Sequence, residues 1–127
     1  GMTPVEFLKI TKIADWTQFK PGEVITQQTH NVPTLNLIYN GTVDVSVDSK
    51  KVAELKDGQF VGEMSFLTEK PATATCRAKH NTECLTWEQQ GFKELLKRNP
   101  SLYFSIQSLL SAQVSEALVS SSKHKGE

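Results

Sequence analysis

The fold of this 127-residue chain is decided by residues 59–75, which read QFVGEMSFLTEKPATAT. A short apolar strand runs into Gly62 and Glu63, a helix-compatible turn follows, and a polar bend at residues 69–71 leads into a second strand. The first N–H groups of a helix lack internal partners, so a glycine at a helix start can direct backbone amides at an anion. Glu63 would lie beside them and could accept a hydrogen bond from a sugar hydroxyl, although an ordinary strand–helix junction has the same pattern.

Composition places the chain among ordinary globular domains. Its 38% hydrophobic and 22% charged residues are typical of one domain that buries its own core. The formal net charge of zero argues against a nucleic-acid partner. Because the sequence has no run of about eighteen apolar residues, it predicts no membrane span within the chain.

The two cysteines, Cys76 and Cys84, predict neither a disulfide framework nor a metal site. A disulfide-stapled domain would carry more cysteines, and the spacing of His80 and Cys84 lacks the further ligands that zinc needs. Reduced thiols favour a cytoplasmic location. Since no nucleophile elbow, zinc-binding helix or phosphate loop is present, we expect no cofactor and no enzyme activity.

The predicted order of elements is one helix, many short strands and two helices. Residues 3–6 (TPVE) are typical of a helix start with a capping box, and Phe7, Leu8 and Ile13 form the predicted apolar side of that helix. Short alternating segments separated by turns such as Asn40-Gly41 then predict an antiparallel barrel or jelly roll.

A long final helix is predicted after Pro100. Its apolar residues recur at steps of three and four. They are Leu102, Ile106, Leu109, Leu110, Val114, Ala117 and Leu118. This stripe fits an output element that moves, and it fits equally well a helix that simply packs on the strands.

These landmarks together resemble the cyclic-nucleotide-binding domain. Residues 19–25 (FKPGEVI) are similar to the entry of its β-roll, and residues 37–43 (LIYNGTV) to its central hairpin. Residues 55–60 (LKDGQF) are similar to the strand before its phosphate-binding cassette, and residues 61–67 and 71–75 to the cassette itself.

The resemblance implies a mainly β fold with flanking helices. This is a double-stranded β-helix, or jelly-roll β-roll, with one N-terminal and two C-terminal helices. Residues 1–127 would form a single domain. Its parts would be an N-terminal helix at 3–15, the β-roll at 16–88, C-terminal helices at 89–119 and a disordered tail at 120–127.

The resemblance also implies the site. Backbone amides at the helix start would face the cyclic phosphate, Glu63 would hold the ribose 2′-hydroxyl, and apolar roll residues with the last helix would enclose the purine. The ligand-binding residues implied in this way are Val61, Gly62, Glu63, Met64, Ser65, Ala72, Thr73 and Thr75.

One position departs from the family pattern. The cassette usually reads Pro-Arg-Ala-Ala-Thr, and its arginine pairs with the phosphate, whereas Ala72 stands at that place here. A charge-assisted contact is typically worth about 1.5–3 kcal/mol, so we expect binding weaker by roughly ten- to a hundred-fold. Arg77 is expected on the opposite face of its strand. Lys70 is the alternative cation, and Thr73 or Thr75 could offer a hydroxyl.

The missing arginine is also a feature of the Popeye branch of this fold. Residues 84–87 (CLTW) and 92–96 (FKELL) are similar to that branch, although its Asp-Ser-Pro-Glu motif is absent here. These features favour a bacterial Popeye-like member. Such proteins often carry an amino-terminal membrane segment, in which case Met2 would be an internal residue and the domain would face the cytoplasm.

Two functions remain open at this point. The first is a regulatory module that binds a cyclic nucleotide, cAMP above others, and transmits binding through C-terminal helices that could also form a homodimer. The second is a degenerate roll that serves as a protein-interaction or structural module. An open, anion-friendly pocket near Gly62 and Thr73 would favour the first. A pocket filled by Met64, Phe66 or the last helix would favour the second.

Overall fold

The computed structural model describes residues 2–125, with side chains described for residues 2–114. The helices are α1 (Pro4–Lys12), α2 (Glu63–Thr68), α3 (Gln89–Lys97) and α4 (Pro100–Lys125). The strands are β1 (Asp15–Phe19), β2 (Val24–Thr26), β3 (Thr34–Asn40), β4 (Thr42–Val47), β5 (Lys50–Lys56), β6 (Phe60–Val61), β7 (Thr75–Ala78) and β8 (Thr82–Glu88).

The strands form two four-stranded antiparallel sheets that make a roll. The first sheet has the order β1-β8-β3-β6, and the second sheet has the order β2-β7-β4-β5. Helix α1 precedes the roll, α3 and α4 follow it, and the short helix α2 lies between β6 and β7. The predicted fold class, a β-roll with one N-terminal and two C-terminal helices, is confirmed.

Strand alternation gives the first sheet a buried residue on each face, and hence two cores. On β8, Cys84 faces into the roll while Leu85 and Trp87 face the helices. The inner core consists of Ile38, Val43, Val61, Cys76 and Cys84. The outer core, between the first sheet and the helices, consists of Ile10, Leu35, Phe60, Phe66, Leu85, Trp87, Phe92, Leu96, Leu102, Ile106 and Leu110.

Helix α1 differs from its prediction in length and in the face it buries. It ends at Lys12, and β1 begins at Asp15 because that segment pairs with β8. The residue that α1 buries is Ile10, whereas the predicted apolar side is largely exposed. The Glu6 carboxylate accepts a hydrogen bond of 2.9 Å from Ser101 of α4. Positions i and i+4 share a helix face, so this contact turns Ile10 inward.

Helix α4 also differs from its prediction. It buries Leu102, Ile106 and Leu110, but Leu109 is 44% exposed. The assigned helix continues to Lys125, past the predicted boundary at 119. Of the disordered tail predicted at 120–127, residues 126 and 127 lie outside the described part of the chain, and so do the side chains of residues 120–125.

Trp87 is the largest fully buried side chain and links three elements. Its indole N–H donates a 2.7 Å hydrogen bond to the carbonyl of Ile10 in α1, and its ring stacks on Phe92 of α3 at 5.1 Å. The substitution Trp87→Phe should lower the free energy of unfolding by about 1–3 kcal/mol, because it removes a buried hydrogen bond and leaves a cavity. Urea denaturation measures this difference.

The matched control is Trp16→Phe, since Trp16 is 59% exposed. It should change the free energy of unfolding by about 0.5 kcal/mol or less. Equal losses in the two variants would contradict the role assigned to Trp87.

Candidate functional site

The junction between β6 and α2 requires glycine at position 62. Gly62 has a φ of 95°, in the left-handed region, and its carbonyl accepts the first helical hydrogen bond from Phe66 N–H at 3.1 Å. A Cβ at this position would lie 3.0 Å from the carbonyl oxygen of Thr34. Backbone conformation and close approach to β3 therefore both select glycine.

The carboxylate of Glu63 lies at this junction beside neutral donors from two sources. They are the backbone N–H groups of Gly62 and of Glu63 itself, and the side-chain amide of Gln113 on α4. Burial raises the pKa of Glu63 above its ordinary value, and these three groups oppose that rise. The group is thus a largely desolvated carboxylate stabilised by neutral donors.

The remaining amides of the helix start belong to Met64 and Ser65. Within the described residues these two N–H groups have no hydrogen-bond acceptor, as expected for the first turn of a helix. The Ser65 hydroxyl donates a 2.6 Å hydrogen bond to the carbonyl of Lys70, which fixes the bend after α2. Of the amides predicted to face a phosphate, those of Gly62 and Glu63 are used by the carboxylate, and those of Met64 and Ser65 are available.

The segment after the bend lies beside the loop between β2 and β3. Ala72 N–H donates to the carbonyl of His30 at 2.9 Å, and its carbonyl accepts from Thr29 N–H at 2.8 Å. The Thr75 hydroxyl accepts a 3.0 Å hydrogen bond from the backbone of Gln28. Thr73 is exposed. Ala72 is therefore held by its backbone, and the Thr75 hydroxyl is occupied by the loop.

The two cations considered in the sequence lie in different surroundings, and the role of Lys70 stays a prediction. Lys70 is exposed, and within the described residues its ammonium group makes no ion pair. Arg77 is also exposed and donates a 2.9 Å hydrogen bond to the carbonyl of Gly22, on the face of β7 opposite to Cys76 and Ala78. The predicted outward direction of Arg77 is confirmed.

The groups that the sequence named as able to fill the site, Met64, Phe66 and the last helix, lie in different places. Met64 is 37% exposed and Phe66 belongs to the outer core, so neither fills the roll. Lys93 of α3 lies 5.0 Å from the Phe66 ring centroid and 3.2 Å from a Glu69 carboxylate oxygen, and these contacts tie α2 to α3. Helix α4, in contrast, does reach the cassette, through Gln113.

Sequence reasoning missed two polar groups near the cassette. Among the described side chains of α4, Gln113 is the polar residue on a buried stripe that is otherwise apolar, and that interruption was a signal for it. Asn36 is 1% exposed on the inner face of β3, opposite Val61 of the inner core, and its carbonyl oxygen accepts a 2.7 Å hydrogen bond from the Thr86 hydroxyl. An asparagine inside the apolar strand LNLIY was the corresponding signal.

Both thiols stay protonated near neutral pH, the form in which a cysteine is a poor nucleophile. Burial raises the pKa of Cys76 to about 11, with a contribution from the charge of nearby Glu63, and burial raises the pKa of Cys84 to about 11 as well. Both cysteines are free. In the part of the chain that the structure describes, no cluster of three or more His, Cys, Asp or Glu side chains could hold a metal ion.

A separate surface cleft of about 220 Å³ lies where α1 meets the turn between α3 and α4. Glu6, Lys9, Arg98 and Ser101 contribute to its lining. It is remote in sequence from the cassette and shares no residue with it. Among the described residues, no helix combines the length and the apolar character needed to cross a membrane.

The chain belongs to the cyclic nucleotide-binding domain family, whose model matches residues 16–99. It is 25% identical over 118 residues to lysophospholipase nte1 of Neurospora crassa, which covers 89% of this chain but only 8% of that protein. The chain thus spans less than a tenth of this curated relative. The Popeye branch stays a prediction.

Solved structures agree with this assignment. The catabolite activator protein of Thermus thermophilus is 25% identical, with a TM-score of 0.79 over 94% of this chain and 58% of that one. The cAMP-bound structure of PfPKA-R is 22% identical, with a TM-score of 0.70 over 90% of this chain and 42% of that one, and it shares the fold.

The substitution Gly62→Ala should destabilise the protein by about 1–3 kcal/mol, because a left-handed non-glycine residue is strained and the new methyl group meets the Thr34 carbonyl. The control is Gly58→Ala, where φ is also positive at 87° but the methyl group enters open space. Thermal unfolding should show the larger loss for Gly62→Ala. A loss no larger than that of Gly58→Ala would show that the β3 contact is unimportant.

The substitution Glu63→Gln should raise the free energy of unfolding at neutral pH. The pKa of Glu63 is higher in the folded protein than its ordinary value of 4.5, so folding favours the protonated acid. Protonation of Glu63 stabilises the folded protein at pH values below the pKa of the unfolded state. This stabilisation is lost as the pH rises through the raised pKa of the folded state. The advantage of Glu63→Gln should therefore shrink on acidification.

Urea denaturation at a series of pH values between 4 and 8 measures this effect. Exposed Glu94, whose 3.4 Å ion pair with Lys97 lies at the surface, offers the control Glu94→Gln, which should show no such pH dependence. Parallel pH curves for wild type and Glu63→Gln would contradict the burial of the carboxylate.

Proposed function

We propose that this chain is a regulatory, non-catalytic module that binds a cyclic nucleotide, with cAMP as the expected ligand. The observation that carries the proposal is the state of the Glu63 carboxylate. Neutral donors from Gly62, Glu63 and Gln113 stabilise it, and no basic side chain of the described residues contributes to its pKa. A carboxylate with about four acceptor positions suits a further donor, such as the 2′-hydroxyl of a ribose.

The cyclic phosphate would be bound by neutral donors in this proposal. The unused amides of Met64 and Ser65 lie one and two residues beyond the ribose acceptor. Since Ala72 offers no charge, the phosphate loses a charge-assisted hydrogen bond, and the affinity should be roughly ten- to a hundred-fold weaker than with an arginine. PfPKA-R, which has the same fold, is solved with cAMP bound.

Transmission would use α4, which contacts α2 and the strand that leads into the cassette. A ligand shifts a conformational equilibrium only as far as it binds one state more tightly than the other. Contact between Gln113 and Glu63 supplies such a difference, because it exists only when α4 is docked. Exposed apolar residues on α4, Tyr103, Phe104 and Leu109, are in keeping with a homodimer through this helix.

One observation favours the alternative, a roll that has lost its ligand. The Gly62 and Glu63 amides are already satisfied by the Glu63 carboxylate, and Ala72 removes the usual phosphate partner. In that case the roll would serve as a structural or protein-interaction module, and the cassette would keep its fold without binding a nucleotide.

Calorimetric titration with cAMP distinguishes the two functions. Wild type should bind measurably, Ala72→Arg should bind at least tenfold more tightly, and Glu63→Gln should bind at least tenfold more weakly because the ribose loses a charged acceptor. Affinity should also fall on acidification, since protonation of Glu63 removes the negative charge of that acceptor. The control Lys97→Ala changes an exposed cation on α3 and should leave the affinity within about twofold.

A titration with cGMP in the same series reports the preference for the base. The absence of heat at millimolar cAMP and cGMP, for both wild type and Ala72→Arg, would eliminate the proposed function and leave the degenerate roll.

A further inference from the structure

Gln113 pairs with the backbone of the strand that leads into the cassette. Its Oε1 accepts a 2.7 Å hydrogen bond from Phe60 N–H, and its Nε2 donates a 2.8 Å hydrogen bond to the Phe60 carbonyl. Strand β6 is the edge of the first sheet, so these two backbone groups face away from β3. The side-chain amide of Gln113, only 8% exposed, thus stands in for a neighbouring strand.

The same amide also acts on the Glu63 carboxylate, whose pKa it lowers. A glutamine amide has two N–H donors and one carbonyl acceptor. Phe60 uses the acceptor and one donor, which leaves the second donor for the stabilisation of Glu63. One buried side chain on α4 therefore pairs with the edge strand and also stabilises the candidate ribose acceptor.

We propose that Gln113 is a positioning residue of the nucleotide site, which orients Glu63 for the ligand only while α4 is docked on β6. This inference rests on the proposed function and deepens it. A helix displaced from β6 would withdraw a donor from Glu63, and a ligand that needs an oriented, ionised Glu63 would hold α4 in place. Gln113 acts through Glu63 and need not touch the ligand.

Few other groups act on Glu63. Cys76 on β7 is the ionisable neighbour, and burial raises its thiol pKa to about 11, so it stays neutral near pH 7. No basic side chain of the described residues contributes to the pKa of Glu63. Loss of the Gln113 donor would consequently leave only the two backbone amides to oppose the desolvation of the carboxylate.

A double-mutant cycle with cAMP calorimetry tests the inference. The variants are Gln113→Met, which keeps the volume of the side chain but removes its polar atoms, Glu63→Gln, and the two combined. Gln113→Met should weaken cAMP binding roughly tenfold when Glu63 is present and less than about twofold when Glu63→Gln is present. An equal loss in both backgrounds, or no loss, would overturn the proposal, because packing alone would then explain Gln113.

The control is Gln107→Met on the same helix. Gln107 hydrogen-bonds to the Tyr103 hydroxyl near the surface and touches neither Phe60 nor Glu63 through a hydrogen bond. It should leave cAMP affinity unchanged in both backgrounds. Circular dichroism and thermal unfolding establish that each variant is folded before it is titrated.

A second readout needs no ligand. Nuclear magnetic resonance should show that Gln113→Met raises the pKa of Glu63 further and speeds hydrogen exchange at the Phe60 amide, while Gln107→Met does neither. If wild type binds no cyclic nucleotide, the proposed function fails, yet these two changes would still support the contact between Gln113 and Glu63. An unchanged Glu63 pKa and an unchanged Phe60 exchange rate would overturn it.

Discussion

The burial of one carboxylate, that of Glu63, constrains the whole region where the roll meets its helices. An ion that is removed from water must be compensated by hydrogen bonds or charges, or its proton affinity rises. Here the compensation comes from neutral donors, two from the backbone of the cassette and one from α4. The docking of α4 and the pKa of Glu63 therefore depend on each other.

The first sheet makes this arrangement possible because both of its faces are buried. Its inner face forms the inner core with the second sheet, and its outer face supports all four helices through the outer core. Strand β6 contributes Phe60 to the outer core and Val61 to the inner core. The cassette that follows is consequently fixed to both layers at its first residue, while Lys93 fixes the end of α2 to α3.

The cassette keeps a buried carboxylate but has an uncharged residue at position 72. The glycine, the carboxylate and the helical turn are present, and the backbone of Ala72 is tied to the β2–β3 loop by two hydrogen bonds. What is absent at this position is a guanidinium. A site with a buried carboxylate and no compensating cation favours ligands through hydrogen bonds to hydroxyls and amides, and it disfavours a second negative charge. This charge balance is the physical reason to expect weak nucleotide binding.

The sequence by itself determined the fold class, most strand positions and the glycine at the start of α2, because alternation and turn residues are local signals. The ligand-binding role of residues 61–65 stays a prediction. It also gave the outward direction of Arg77, which follows from strand alternation. It was wrong about the buried face of α1 and about Leu109, since both depend on which neighbour each helix meets.

Only the tertiary structure decided which groups surround the cassette. The placement of the Gln113 amide beside the Glu63 carboxylate depends on how α4 folds back against the first sheet. The contact between Gln113 and Phe60 joins residues 53 positions apart, which no local pattern encodes. An isolated glutamine in an apolar stripe indicates a buried hydrogen-bond partner. Which partner it meets depends on how the helix docks against the edge of the sheet.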